Sequence, residues 1–123
     1  MTENPSQTVF VVDDEPGTAS MIAAILNASG FQVTAFTDPE KVMQAAESCC
    51  PNILVSDVFM PHMNGIELAI KFQVAYPKCK ILLFSGNAAA NRLMKVATKK
   101  GHAFTIMSKS TLPNEIVAAV TNL

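Results

Sequence analysis

ILVSDVFMPHMNG, residues 53–65, carries the pattern on which the fold can be predicted. The stretch opens with a short apolar run that stops at Asp57. An apolar run of this length bounded by turn-forming residues indicates a buried strand. Asn64 is a plausible helix N-cap with Glu67 three residues on, so a helix is predicted to follow from Ile66. The segment therefore predicts a strand, a loop that begins at an aspartate, and a helix.

The same succession of strand and helix occurs five times along the chain. Predicted strands span 8–12, 31–36, 53–56, 80–84 and 103–107. Predicted helices span 18–29, 39–50, 66–76, about 88–100 and 113–123. Regular alternation with short loops is typical of a parallel sheet with helices on both faces. We predict one α/β domain over residues 1–123, with a doubly wound parallel sheet, a polar N-terminal segment at 1–7 and a core from about residue 8.

The composition excludes several classes of protein. Half of the 123 residues are hydrophobic and 15% are charged, which is unlike a disordered chain. A net charge of −1 offers no basic footprint for nucleic acid, and no apolar run is long enough to span a membrane. The chain begins with polar residues and has three cysteines without disulfide-framework or zinc spacing. These features predict a soluble cytoplasmic protein whose cysteines are small apolar residues in a reducing compartment.

Polar and charged side chains stand where the predicted strands end. They are Asp13 and Asp14 after strand one, Asp38 after strand two, Asp57 after strand three, Ser85 after strand four and Lys109 after strand five. Ligands of open parallel sheets bind at the carboxyl ends of the strands. Asp38 is explained as an N-cap, but the other three aspartates of the chain also fall at these ends. We expect them to face one crevice.

Three carboxylates in one crevice predict a bound cation, because they repel one another when all are ionised. Oxygen ligands with open positions suit Mg²⁺. A carboxylate can act as the nucleophile in phosphoryl transfer, which depends on positioning and charge stabilisation. The alternative is that Asp13 and Asp14 cap the first helix, Ser85 caps the fourth, and Lys109 is a surface charge. That alternative explains each residue singly but not the ordered set.

The ordered set resembles the receiver domain of bacterial two-component response regulators over about residues 8–123. VVDDEP at 11–16 is similar to the family's acidic pair, and SDVFMPHMNG at 56–65 is similar to its motif D-x-x-M-P-x-M-x-G. Ser85 and Lys109 stand where the family has a hydroxyl residue and a lysine. The resemblance implies a flavodoxin-like fold with strand order 2-1-3-4-5.

The resemblance also implies a phosphoacceptor role for Asp57. The donor would be a histidine kinase, a phosphotransfer protein or a small phosphodonor such as acetyl phosphate. Mg²⁺ or Mn²⁺ would be held by Asp14, Asp57 and the backbone carbonyl of Phe59, with Asp13 acting mainly through a bound water. The domain would catalyse its own phosphorylation and dephosphorylation without being an enzyme on an external substrate.

A switch is implied as well. Ser85 and Lys109 would contact phosphoryl oxygens and shift a balance between two conformations. The family's switch residue is usually aromatic; Ile106 stands there in this chain, and Phe104, two residues earlier on the same face of the strand, could substitute. The resemblance suggests a homodimer through the face of helix four, strand five and helix five.

Ser110 is a further departure, because the family usually has proline after its lysine. A cis bond before a residue other than proline costs roughly 2.5–4 kcal/mol, so we predict that Lys109–Ser110 is trans. The departures at Ser110 and Ile106 favour a second reading, a protein-interaction module of the same fold that phosphorylation does not switch. A small enzyme of this fold is the third reading, but the chain has no P-loop, dinucleotide fingerprint or nucleophile elbow.

Overall fold

The computed structural model describes residues 7–61, 63–85, 89–102, 104–108 and 113–123. The strands are β1 Thr8–Val12, β2 Gln32–Phe36, β3 Ile53–Asp57, β4 Lys80–Ser85 and β5 Thr105–Ser108. The helices are α1 Pro16–Ala28, α2 Pro39–Ser48, α3 Gly65–Ala75, α4 Ala89–Lys99 and α5 Pro113–Thr121. Every predicted strand and helix is present, in the predicted order and with ends within two residues of those predicted.

The five strands form one parallel sheet in the order β2-β1-β3-β4-β5. This confirms the predicted flavodoxin-like α/β fold. β3 lies at the centre and is buried along its whole length, as the apolar run ILVS predicts for a parallel strand covered on both faces. β2 and β5 are the edges and are more exposed. Because the strands are parallel, the carboxyl ends of all five lie along one end of the sheet, which we call its carboxyl edge.

The core lies on both faces of this sheet. Successive residues of a strand point to opposite faces, so Leu54 packs under α2, α3 and α4, whereas Val55 packs under α1 and α5. Phe72 of α3 is fully buried in the first of these layers. No helix among the described residues combines the length and the apolar composition needed to cross a membrane.

Two helices are capped at their N-termini as the sequence predicts. Asp38 caps α2 by accepting a hydrogen bond of 2.9 Å from the backbone N–H of Glu40. Asn64 caps α3, accepting from the N–H of Glu67 at 2.8 Å and donating to its carboxylate at 2.9 Å. Gly30, just past α1, has a φ of +99°, the left-handed conformation in which glycine commonly ends a helix.

Two apolar helix residues lie outside the core. Helical spacing groups Met21 of α1 with Ile22 on one apolar face and predicts Val96 on that of α4, but Met21 is 51% exposed and Val96 is 52% exposed. Consecutive helical residues are about 100° apart, so Met21 and its neighbour Ile22 cannot both face the sheet. Ala97 of α4, which the same spacing groups with Val96, is buried, and so is Ala19 of α1. Small residues let the helices approach the sheet closely.

Candidate functional site

Three carboxylates meet at the carboxyl edge of the sheet. Asp13 and Asp14 follow β1, and Asp57 ends the neighbouring β3. One carboxylate oxygen from each residue lies within 4.8 Å of the other two. Asp13 and Asp57 are only 1% and 5% exposed, whereas Asp14 is exposed. The structure thus places together the three aspartates that the strand-end argument singled out, in a site with one side open to solvent.

Asp13 is oriented by the turn that leads into α1. Its backbone N–H extends the sheet by donating to the carbonyl of Phe36 at 3.1 Å. Its carboxylate accepts a hydrogen bond of 2.9 Å from the N–H of Glu15. Glu15 is the N-cap residue of α1, which begins at Pro16, so neither Asp13 nor Asp14 occupies the cap position. The geometry counts against the reading in which these aspartates merely cap a helix.

The backbone around Asp57 is held from two sides. Val58, the next residue, donates its N–H to the carbonyl of Phe84 on β4 at 3.1 Å. The carbonyl of Val58 accepts from the N–H of Gly65 at 2.7 Å. The carbonyl of Asp57 accepts a hydrogen bond of 2.9 Å from the fully buried hydroxyl of Ser56. These contacts hold the acceptor end of β3 against its neighbours.

Gly65 is a site residue that the strand-end argument missed, because its letter alone indicated only a turn. It is the first residue of α3, and a Cβ at this position would overlap the backbone carbonyl of Asp57. The missing side chain lets the helix start directly against the end of β3. The available signal was a glycine directly after an N-capping asparagine.

Ser85 ends β4 beside the carboxylates. Asp57 is in register with Phe84, so Ser85 lies one residue beyond Asp57 on the adjacent strand. Its side chain is 9% exposed. Residues 86–88, between Ser85 and the first described residue of α4, lie outside the described residues, so the alternative that Ser85 caps this helix stays untested. Ser85 is also in register with Ser108, the last residue of β5. The next two residues, Lys109 and Ser110, lie outside the described residues. The role of Lys109 and the trans bond between these two residues therefore remain predictions.

The two candidate switch residues lie at different depths. Ile106 and Phe104 both pack against the core on the α3 side of the sheet. Ile106 is in register with Leu83, two residues before Ser85. Phe104 precedes β5 and lies four positions before Ser108, or about 13 Å along the strand direction. Ile106 is therefore nearer to the carboxylates. Phe104 lies on the same face of the sheet but farther from its carboxyl edge.

The carboxylate cluster fits a hard divalent cation. Octahedral Mg²⁺ holds oxygens at about 2.0–2.1 Å, which places two ligand oxygens about 3–4 Å apart. Oxygens that already lie within 4.8 Å of one another need only small side-chain rotations to reach that spacing. Exposed Asp14 leaves room for waters and for a phosphate oxygen. Phe59, whose carbonyl is the further predicted ligand, follows in the loop after β3, and its side chain is 37% exposed.

The sequence matches a known family and many of its members. The family described as response regulator receiver domain matches residues 9–121. The chain is 34% identical over 82 residues, 67% of its length, to the probable transcriptional regulatory protein TcrX of Mycobacterium tuberculosis. It is 26% identical over 117 residues, 95% of its length, to the transcriptional regulatory protein CreB of Escherichia coli. The matches span 35% of TcrX and 50% of CreB, so this chain corresponds to half or less of these relatives.

Solved structures agree with the sheet topology. A two-component transcriptional regulator AraC from Clostridium phytofermentans superposes with a TM-score of 0.79 at 31% identity, covering 95% of this chain and 90% of that one. The signal receiver domain of an HD domain-containing protein from Pseudomonas fluorescens superposes with a TM-score of 0.88, covering 99% and 89%. At 19% identity, this second likeness shows the fold alone.

Proposed function

We propose a phosphoacceptor function from one premise: the chain belongs to the response regulator receiver domain family, whose model matches residues 9–121. It is a receiver domain of two-component signalling, and the proposal names Asp57 as its acceptor. The observation that supports this choice is the position of Asp57. It ends the central strand, is 5% exposed, and has a carboxylate oxygen within 4.8 Å of two other carboxylates.

The proposed step is an attack by a carboxylate oxygen of Asp57 on the phosphorus of a phosphohistidine. A phosphorus–oxygen bond forms at Asp57, the phosphorus–nitrogen bond breaks, and the histidine of the kinase or phosphotransfer protein leaves. Asp13, Asp14 and Asp57 would hold Mg²⁺ or Mn²⁺, with the carbonyl of Phe59. The ion, when bound, neutralises charge on the transferring phosphoryl group. Water attack on the same acyl phosphate would return Asp57 to its free form.

Ser85 and the lysine after β5 would recognise the product. The Ser85 hydroxyl would donate to one phosphoryl oxygen, and Lys109 would pair with another. Support comes from the register, which sets Ser85 one residue beyond Asp57. Drawing Ser85 inward would move the end of β4. Ser85 is in register with Ser108 of β5, and Ile106 lies two residues before Ser108, so Ile106 is nearer to this movement than Phe104. Phosphorylation would thereby shift a pre-existing equilibrium that a partner or an output domain reads.

Mg²⁺ is expected to raise the thermal stability of the unmodified protein. A ligand present at about 100 times its Kd adds roughly 2.7 kcal/mol to the free energy of unfolding if it binds only the folded state. Differential scanning calorimetry with and without MgCl₂, at equal ionic strength set with NaCl, measures the shift in Tm. Asp14→Asn is the matched variant and should show a smaller shift. Equal Tm values with and without Mg²⁺ would contradict the cation site.

The acceptor is tested by the mass of the intact protein after incubation with acetyl phosphate and Mg²⁺. One phosphoryl adduct is expected, and tryptic cleavage should place it in the peptide 42–71, whose acidic residues are Glu47, Asp57 and Glu67. Fragmentation of that peptide should assign the group to Asp57. An adduct on either glutamate would overturn the assignment.

A second candidate function is an interaction module that phosphorylation does not switch. Ser110 and Ile106 favour it, since each departs from the pattern of the family. It predicts Mg²⁺ binding without an adduct from acetyl phosphate or from phosphorylated histidine kinases. A weaker form of it predicts an adduct on Asp57 but equal affinity of a partner for both forms. Measuring the adduct and the partner affinity together separates these cases.

The partners follow from the same premise. We propose a histidine kinase or phosphotransfer protein as the donor and the cytoplasm as the place of the reaction. TcrX and CreB are named transcriptional regulatory proteins, but this chain corresponds only to a receiver and has a net charge of −1. We therefore propose no direct nucleic-acid contact for this domain. A homodimer through α4, β5 and α5 stays a prediction that sedimentation of the two forms would check.

A further inference from the structure

Two cysteines share one cavity at the edge of the sheet away from Asp57. The cavity has a volume of about 460 Å³ and lies where β3 and β4 begin. Cys50 lines it from the link between α2 and β3, and Cys79 lines it from the link between α3 and β4. Neither thiol takes part in the proposed phosphoryl transfer, and both are free in the structure. From the sequence alone, both cysteines are predicted to be small apolar residues in a reducing compartment.

The sheet register brings the segments that carry these two cysteines side by side. Ile53 is in register with Lys80, and the N–H of Lys80 donates to the carbonyl of Asn52 at 2.9 Å. Cys79 precedes Lys80, so it lies beside Asn52 on the neighbouring strand, and neighbouring strands are about 4.8 Å apart. Cys50 is two residues from Asn52 and borders the same cavity. A disulfide needs Cα atoms about 4.4–6.8 Å apart, so the proposed bond requires the link at Cys50 and Pro51 to bring Cys50 within that range of Cys79.

The two thiols differ in exposure, and each is affected by a neighbouring thiol. Burial raises the pKa of Cys79 to about 12, and the nearby Cys50 adds to this rise. Partial burial and the adjacent Cys49 raise the pKa of Cys50, but Cys50 is exposed whereas Cys79 is 9% exposed. Cys50 is therefore the thiol that meets an oxidant first.

We propose that Cys50 and Cys79 form a reversible disulfide when the protein meets a peroxide. The Cys50 sulfur attacks one peroxide oxygen; the oxygen–oxygen bond breaks, one water leaves, and a sulfenic acid remains. The Cys79 sulfur then attacks the Cys50 sulfur, a sulfur–sulfur bond forms, and the hydroxyl leaves as a second water. The two thiols supply the two electrons that reduce hydrogen peroxide to two waters. A dithiol reductant reverses the reaction by exchange.

The disulfide would link the starts of β3 and β4. The closed loop runs from Cys50 to Cys79 and contains β3 and α3. Closing a loop of this kind restricts the unfolded chain, so the oxidised protein should melt several degrees above the reduced one. Asp57 lies at the far end of β3, so the adduct from acetyl phosphate should form on both the oxidised and the reduced protein. Absence of the disulfide would therefore leave the phosphoacceptor function unaffected.

Peptide mapping tests the link directly. The fully reduced whole chain is treated with a small excess of hydrogen peroxide, blocked with iodoacetamide and digested with trypsin. Cys49 and Cys50 lie in peptide 42–71, whereas Cys79 lies in the dipeptide 79–80. The expected product is peptide 42–71 joined to dipeptide 79–80, and a dithiol reductant should release the dipeptide. Peptide 42–71 lighter by two hydrogens without the dipeptide would show a Cys49–Cys50 bond and overturn the proposal.

Three serine variants assign the partners. Cys49→Ser should keep the joined product, because Cys49 is exposed and outside the cavity lining. Cys50→Ser should lose it, and so should Cys79→Ser. Because Cys79 is buried, its variant is first checked for folding by circular dichroism, with Cys79→Ala as a second replacement. A joined product that persists in Cys50→Ser, or only unlinked peptides from the wild type, would refute the Cys50–Cys79 pair.

Discussion

Asp57→Asn is expected to abolish the phosphoryl adduct while stabilising the ion-free protein. Asparagine has nearly the same shape as aspartate but no carboxylate to attack phosphorus, so no acyl phosphate can form. It also removes one of three negative charges whose oxygens lie within 4.8 Å of one another in a mostly buried site. Relief of this repulsion is expected to raise the free energy of unfolding by roughly 1–2 kcal/mol in the absence of Mg²⁺. Intact-protein mass and urea unfolding measure the two effects on one preparation.

Asp38→Asn is the matched control for this variant. Asp38 is the remaining aspartate of the chain; it caps α2 through the N–H of Glu40 and is not among the clustered carboxylates. Asparagine caps helices about as well as aspartate, so the fold should tolerate the change. The control should take up one phosphoryl group as the wild type does. A normal adduct on Asp57→Asn would refute the acceptor assignment, and a loss in both variants would point to a general effect on folding.

Gly65→Ala is expected to lower the free energy of unfolding by about 3 kcal/mol. The new Cβ would overlap the backbone carbonyl of Asp57 and approach the hydroxyl of Ser56 at 3.0 Å. The carbonyl belongs to the backbone of the buried central strand, so it cannot rotate away as a flexible side chain would. Overpacking a close-packed site typically costs about 1–3 kcal/mol, and a backbone clash lies at the upper end. Urea unfolding followed by circular dichroism gives the difference.

Gly17→Ala provides the matching replacement in another helix. Gly17 is in the first turn of α1, as Gly65 is in that of α3, but no atom lies within 4 Å of a Cβ added there. Alanine in place of glycine in a helix typically stabilises by roughly 0.5–1 kcal/mol. The two variants should therefore change stability in opposite directions. Similar effects at both positions would show that the contact with Asp57 does not determine the cost.

The order and type of the elements could be predicted because each carries a local signal. β3 is an apolar run too short for a helix, and α3 begins at an asparagine with a glutamate three residues later. The same local signals predict where the strands end, and Asp13, Asp14 and Asp57 stand at those ends. Parallel topology then brings together carboxyl ends that are distant in the chain. No long-range information was needed for this part of the site.

What could not be predicted depends on packing across elements. Met21 is as apolar as its buried neighbour Ile22, and only the position of the sheet decides which of them is covered. The contact of Gly65 with Asp57 depends on where α3 starts relative to β3. The cavity that Cys50 and Cys79 share depends on the register of β3 against β4. Each of these relations depends on how different elements pack, so a local pattern does not reveal them; at Gly65 the local signal marks the glycine but not its contact.

The assembly of the carboxylates from two strands gives the protein a built-in reporter of its own folding. Asp13 and Asp57 come together only when β1 has paired with β3, a contact between distant parts of the chain. Such non-local parallel pairing is generally slow to form. During refolding, a short pulse of acetyl phosphate with Mg²⁺ should therefore label only those molecules in which this pairing is complete. The labelled fraction, plotted against the time of the pulse, would trace the formation of the central sheet separately from the appearance of helices.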